Sequence, residues 1–268
     1  MKEINQSLNE ILSWIDKYLP GSKDLFIPGL SFDSINKLTS NLDFQLPDEI
    51  YKMYEWRNGT LLSTPSFVFP IFEFMPLNEA ISLQNDIKSD SMIRELFEFD
   101  DYPLFPFSAN EGEHCAVIIH PKYLQSSPVV YIGKQGGGSF IAFSSITNMM
   151  CCISECFLNR AFYLGHDGII RSSKEETSKI FYKYNVSLAH QSIEDVKSLL
   201  MENVRFDYKN QIIISRALYS INHFRPKQSI ETLYKCLNKY ENDETRVGKT
   251  IYSLINNSIN RLNLSSDT

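Results

Sequence analysis

The stretch Leu46-Pro47-Asp48-Glu49-Ile50-Tyr51-Lys52-Met53-Tyr54-Glu55-Trp56-Arg57-Asn58-Gly59-Thr60 sets the frame for the rest of the chain. Proline at the first position of a helix loses no hydrogen bond, and the acids after it suit the positive end of the helix dipole. Ile50, Met53, Tyr54 and Trp56 then fall along one side, and Asn58-Gly59 reads as the helix end, because both residues tolerate the left-handed cap conformation.

Working outward to the N-terminus, Ile4, Leu8, Ile11, Leu12 and Ile15 recur at helical spacing until Pro20-Gly21 stops them. The acids and asparagines among them exclude a signal peptide. A short helix over Ser34 to Ser40 is expected to turn Ile35 and Leu38 inward. Toward the C-terminus the period changes. Ser66 to Phe74 is aromatic and branched, as strands are, and Asn78 to Phe99 returns to helical spacing. Strands are expected over Leu104 to Ser108, Cys115 to His120, Pro128 to Ile132 and Ser139 to Phe143, the last two joined by a glycine-rich hairpin turn at Gly133 to Gly138. Ser145 caps a helix that runs to about Leu158.

Beyond residue 172 the strand signal stops. Helices are expected over 174–184, 192–201, 210–224, 228–240 and 244–262. Arg216 to Ile221 (RALYSI) and Lys249 to Leu254 (KTIYSL) match in character 33 residues apart, a period found in stacked helical hairpins, which need about three units for stability. The fold class expected is α+β, a mainly antiparallel sheet packed on helices over residues 1–165, followed by an all-helical region over 172–265.

Charge supports a boundary near 165–172. Residues 1–165 carry 11 basic and 20 acidic side chains, a net of −9, whereas 166–268 carry 15 and 12, a net of +3. An acidic first half argues against nucleic acid as its direct ligand and favours basic protein partners. No run approaches the ~20 apolar residues of a membrane helix. Five cysteines in irregular apolar settings read as reduced core thiols rather than a disulfide framework, so the expected location is cytoplasmic.

The order of these parts resembles the SUKH superfamily, which contains fungal cell-wall-assembly regulators and bacterial immunity proteins that neutralise toxins. The resemblance covers residues 30–165 and rests on Leu46, Pro47, Tyr51, Tyr54, Asn58 and Gly59. Phe105-Pro106-Phe107, the strand pair ending in Phe140 to Phe143 and the helix from Ser145 extend it. The acidic, glycine-rich turn often found after the family's FP strand is here Asn110-Glu111-Gly112-Glu113-His114, with a single glycine. What the resemblance implies is a protein-binding scaffold without catalysis or cofactor, either an immunity protein occluding a basic toxin domain or a regulatory scaffold recruiting partners.

The partner-binding candidates are Trp56, as an anchor beside Asn58-Gly59, and an acidic set of Glu98, Asp100, Asp101, Glu111 and Glu113, with Asp90 and Glu95 nearby. The plainer account of Trp56 is packing beneath the helix end, and of the acids a solvated helix end. Cys151-Cys152 and Cys156 contain no CxxC pair and no close histidine, so no metal site is expected. Gly133 to Ser139 has its lysine early and leads into a strand, unlike a phosphate loop, and the five histidines form no HExxH. His114 beside Glu113 has the chemistry for acid–base work, though a surface turn is the simpler account, and no nucleophile elbow accompanies it.

Overall fold

The structure is a computed structural model that describes residues 3–61, 73–89, 103–134, 139–201, 208–226 and 229–263. The fold is α+β, with ten α-helices and three small sheets among the described residues. Contacts divide it into two compact units, residues 1–137 with 141–173, and residues 138–140 with 174–268.

The first unit opens with α1 (Ile4–Tyr18), whose Ile4, Leu8, Ile11 and Ile15 are buried. Strand β1 (Phe26–Pro28) and helix α2 (Phe32–Thr39) follow, then α3 (Asp48–Trp56) and β2 (Arg57–Thr60). Pro47 stands one position earlier than expected, as the N-cap of α3. The helix also ends differently. Arg57 leaves it in extended geometry, and Asn58-Gly59 lies within β2, paired with β1 across a register shift. Gly59 does adopt a positive φ of 87°, but for packing: a Cβ there would stand 2.4 Å from the backbone N of Pro76. The end of α3 is covered from the other side, where Leu30 donates to the Tyr54 carbonyl at 2.9 Å. In α2 only Ile35 is buried; Leu38 is 43% exposed, because so short a helix meets its neighbours α3 and, further along, residues 77–89 around a single side chain.

Of the expected strand over 66–74 the described part is β3 (Glu73–Phe74), and of the helix over 78–99 it is α4 (Leu77–Ser89). Asn58 caps α4 through its Oδ1, which accepts from the Leu77 N–H at 3.0 Å. Strands β4 (Leu104–Asn110), β5 (Glu113–Ile118), β6 (Val129–Ile132) and β7 (Phe140–Phe143) complete a five-stranded sheet in sequence order, β3 to β7. The pairs β3–β4, β4–β5 and β5–β6 are antiparallel. Residues 135–138, the centre of the expected glycine-rich turn, lie outside the described residues.

Pro106 has no N–H for the ladder, and the strand accommodates it beside a bulge: the register slips between Pro106 and Ser108, leaving Phe107 as the extra residue. Phe105 and Phe107 are both fully buried, and the Phe107 carbonyl accepts from Met75 at 3.0 Å. On one face Leu83 and Ile87 of α4 pack over Leu104, Ala116, Ile118, Val130 and Ile132. Helix α5 (Ile146–Leu158) packs on α1, and a ribbon of β8 (Phe162–Leu164) and β9 (Ile170–Ser172) closes the unit.

The second unit contains α6 (Lys174–Tyr184), α7 (Val186–Met201), α8 (Tyr208–Phe224), α9 (Ser229–Tyr240) and α10 (Arg246–Asn263). Helix α7 starts six residues before the expected Ser192, since only Asn185 separates it from α6: its side chain bonds the Phe181 carbonyl while its own carbonyl accepts from Ala189. Ile193, Val196, Ile214, Leu218, Leu233, Ile251 and Ile255 share one core. Helix α7 packs on α8 and α9 on α10, while α7 also meets α9 and α8 meets α10. The two similar stretches, Arg216 to Ile221 and Lys249 to Leu254, lie on α8 and α10, the second helix of each pair.

Candidate functional site

The β4–β5 hairpin carries two of the predicted acids. Asn110 pairs with Glu113, so the turn is the two-residue Glu111-Gly112, with φ of 46° and 88°. Positive φ at both central positions is the primed turn whose twist matches paired strands; this is tighter than a five-residue turn, and glycine is needed only at its second position. Glu111 is held at the tip with its side chain 80% exposed, 3.4 Å from Lys134 at the end of β6. An ion pair so open to water contributes little to stability, about 0–1 kcal/mol, which leaves the carboxylate available to a partner. Glu113 is half-buried at the base of the turn.

His114, next on β5, lies opposite Ala109 and Ile132. Burial holds its imidazole below the usual range, against the opposing pull of Glu113, and its Nδ1 is sealed without a hydrogen-bond partner. Burial thus disfavours the charged ring, which sits half-buried at the base of the hairpin.

Trp56 belongs to a different corner. Its indole is half-buried, edge-on to Phe26 at 5.5 Å, with the Arg57 guanidinium 5.4 Å from the ring. Its Nε1 donates to Asn9 Oδ1 of α1 at 3.1 Å. The indole therefore ties α1 to the end of α3, and the Trp56 corner and the hairpin are separate features. Glu98, Asp100 and Asp101, with Asp90 and Glu95, lie outside the described residues.

One acid does more for the architecture than its place in the sequence implies. Glu49 stands in the first turn of α3, as expected of a dipole partner, and at 3% exposure it also serves α5. Its carboxylate accepts from the N–H groups of Thr147 at 2.8 Å, Ile146 at 3.3 Å and Ser127 at 3.3 Å. Ser145 takes the next donor, Asn148, as a regular N-cap. A pair nearly 100 residues apart leaves no local spacing signal. Another feature missed is an aromatic contact at the surface: Phe32, 55% exposed, lies 5.3 Å from Tyr51, whose hydroxyl donates to Asn36.

All five cysteines are buried free thiols, with Cys152 and Cys156 fully enclosed and Cys151 bonded by the Ser7 hydroxyl at 3.3 Å. Among the described residues no group of three or more His, Cys, Asp or Glu side chains is placed to hold a metal ion, and no helix is long and apolar enough to cross a membrane. Set against known proteins, the chain matches no protein-family model and no curated protein.

Proposed function

We propose that the first unit is a protein-binding module of the SUKH kind, acting as an immunity protein that occludes a basic toxin domain in the cytoplasm without catalysis of its own. The observation that carries this is the acidic hairpin tip. Glu111 is presented at the tip of the β4–β5 hairpin, on a turn whose backbone is fixed by Gly112, with the exposed Lys134 beside it. Rigid presentation lowers the ordering cost of binding, and an exposed carboxylate steers a basic partner. The element order α2, α3, β2, β3, α4, β4 to β7, α5 also follows the family pattern.

Scaffolding of several partners is the second reading, favoured by the paired helices of the second unit, an arrangement used elsewhere for protein binding. The test is capture from the native host with wild-type chain and with a variant carrying Glu98, Asp100, Asp101, Glu111 and Glu113 changed to Lys. One dominant basic partner, bound at nanomolar Kd (about −12 kcal/mol) and lost with the variant, is the expected result. Several weaker partners, indifferent to charge reversal, would sink the occlusion mechanism and leave the scaffold.

A further inference from the structure

The helices of the second unit divide their charges unevenly. On α6, α7 and α9, lysines sit beside carboxylates of their own helix: Lys179 with Glu175 at 2.7 Å, Lys197 with Glu194 at 2.5 Å, and Lys235 with Glu231 at 2.6 Å. Helices α8 and α10, which pack on each other, contain Lys209, Arg216, Arg246, Lys249 and Arg261 and not one aspartate or glutamate. On α10 the exposed residues Lys249, Ser253, Asn257 and Arg261 recur every fourth position, making one stripe about 18 Å long at 1.5 Å per residue. The Arg261 guanidinium lies 5.9 Å from the ring centre of Tyr219, itself 37% exposed on α8. Arg225, just past α8, reaches the Arg261 carbonyl at 3.5 Å and adds a cation to that end. Among the described residues, Arg225, Lys249 and Arg261 take part in no ion pair. A shallow cleft of about 580 Å³ is lined by Glu244, Lys249, Thr250, Ser253 and Leu254, so one carboxylate faces it beside the lysine.

We infer that this face of α8 and α10 docks the backbone of a single-stranded nucleic acid. Cations at the two ends of the stripe, with Arg225 beside Arg261, neutralise phosphates several nucleotides apart, while the hydroxyl and amide groups of Ser253 and Asn257 between them donate to phosphate oxygens. An exposed tyrosine beside the row gives a base a surface to stack on, a need that an acidic peptide does not have. Nothing on the stripe itself bears a negative charge, so the recognition is of charge and stacking rather than of sequence. This inference is independent of the occlusion proposed for the first unit.

The test is fluorescence anisotropy of the full chain with a labelled oligo-uridine of about 20 nucleotides at low salt, where binding near micromolar Kd is expected. Changing Lys249→Gln and Arg261→Gln together is expected to weaken binding about tenfold and to lower the salt-dependence slope by about 1.4. Tyr219→Ala is expected to cost about tenfold through lost stacking, while Lys179→Gln, on an ion-paired helix, stays within about twofold. Circular dichroism confirms that each variant keeps its helices. Absence of binding by the folded wild type overturns the inference, as does an equal loss with Lys179→Gln. Displacement of the oligonucleotide by polyglutamate at equal charge overturns it too, and assigns the face to an acidic protein.

Discussion

Removing the Glu49 carboxylate takes away the acceptor for three backbone N–H groups at once, two of them the first donors of α5. In Glu49→Ala the 3%-exposed site has no ready access for replacement water, so at least two of those donors are left unsatisfied. Each buried orphan costs about 1–3 kcal/mol, and the lost interaction of charge with helix dipole adds about 1–2. Because some donors relax toward Ser145, a total of about 3–5 kcal/mol is expected. Glu49→Gln keeps one acceptor oxygen but turns an amide N–H toward other donors, and is expected to cost about 2–3 kcal/mol. Both tryptophans, Trp14 and Trp56, belong to the first unit, so their fluorescence follows its unfolding in urea separately from the helical region. With a slope of about 2 kcal/mol per molar, the Ala variant should lower the midpoint by about 1.5–2.5 M. A midpoint within about 0.5 M of wild type, at unchanged slope, would refute the role assigned to Glu49.

Three further outcomes are expected. Gly59→Ala forces a Cβ to within 2.4 Å of the Pro76 backbone and should cost several-fold more stability than Gly168→Ala, which shares a positive φ but meets nothing within 4 Å; comparable midpoints for the two would contradict the packing argument. His223 is surrounded by Phe140, Phe181 and Phe224, each 5.1 Å away, and burial pushes its imidazole down to about 4 from an ordinary 6.5. Since the neutral form is the folded one, its stabilisation is complete above pH 6.5 and declines as pH falls toward 4, by up to about 3 kcal/mol, less for the part of the ring near solvent. His223→Leu should flatten that acid limb in a helicity titration, and an NMR titration placing the imidazole near 6.5 would contradict it. The thiols should stay inert to Ellman's reagent until denaturant is added, when all five react; burial pushes Cys115 up to about 12, so rapid native labelling there would be inconsistent with the packing.

Properties carried by neighbouring residues were legible in the sequence: the apolar stripe of α1, the Ser145 cap of α5, the fully enclosed Cys152 and Cys156 one turn apart, and the alternation of period that separates strands from helices. Each depends on spacings of two to four residues, the range over which backbone geometry alone dictates which side chains share a face. The same rules misjudge the places where distant segments meet. Asn58-Gly59 has the chemistry of a helix cap, yet the approach of Met75 and Pro76 turns it into a strand whose asparagine caps α4. Glu49 has the position of a dipole partner for α3, yet α5 claims its carboxylate from 97 residues away. Leu38 has helical spacing from Ile35 but no neighbour to cover it. The site divides along the same line: the composition of the Glu111-Gly112 turn was readable, whereas its two-residue register and the approach of Lys134 follow from how β4, β5 and β6 align. Sequence alone determined the α+β class and the local periods; tertiary structure decided which polar groups are buried, because burial is set by what packs on a residue rather than by what adjoins it.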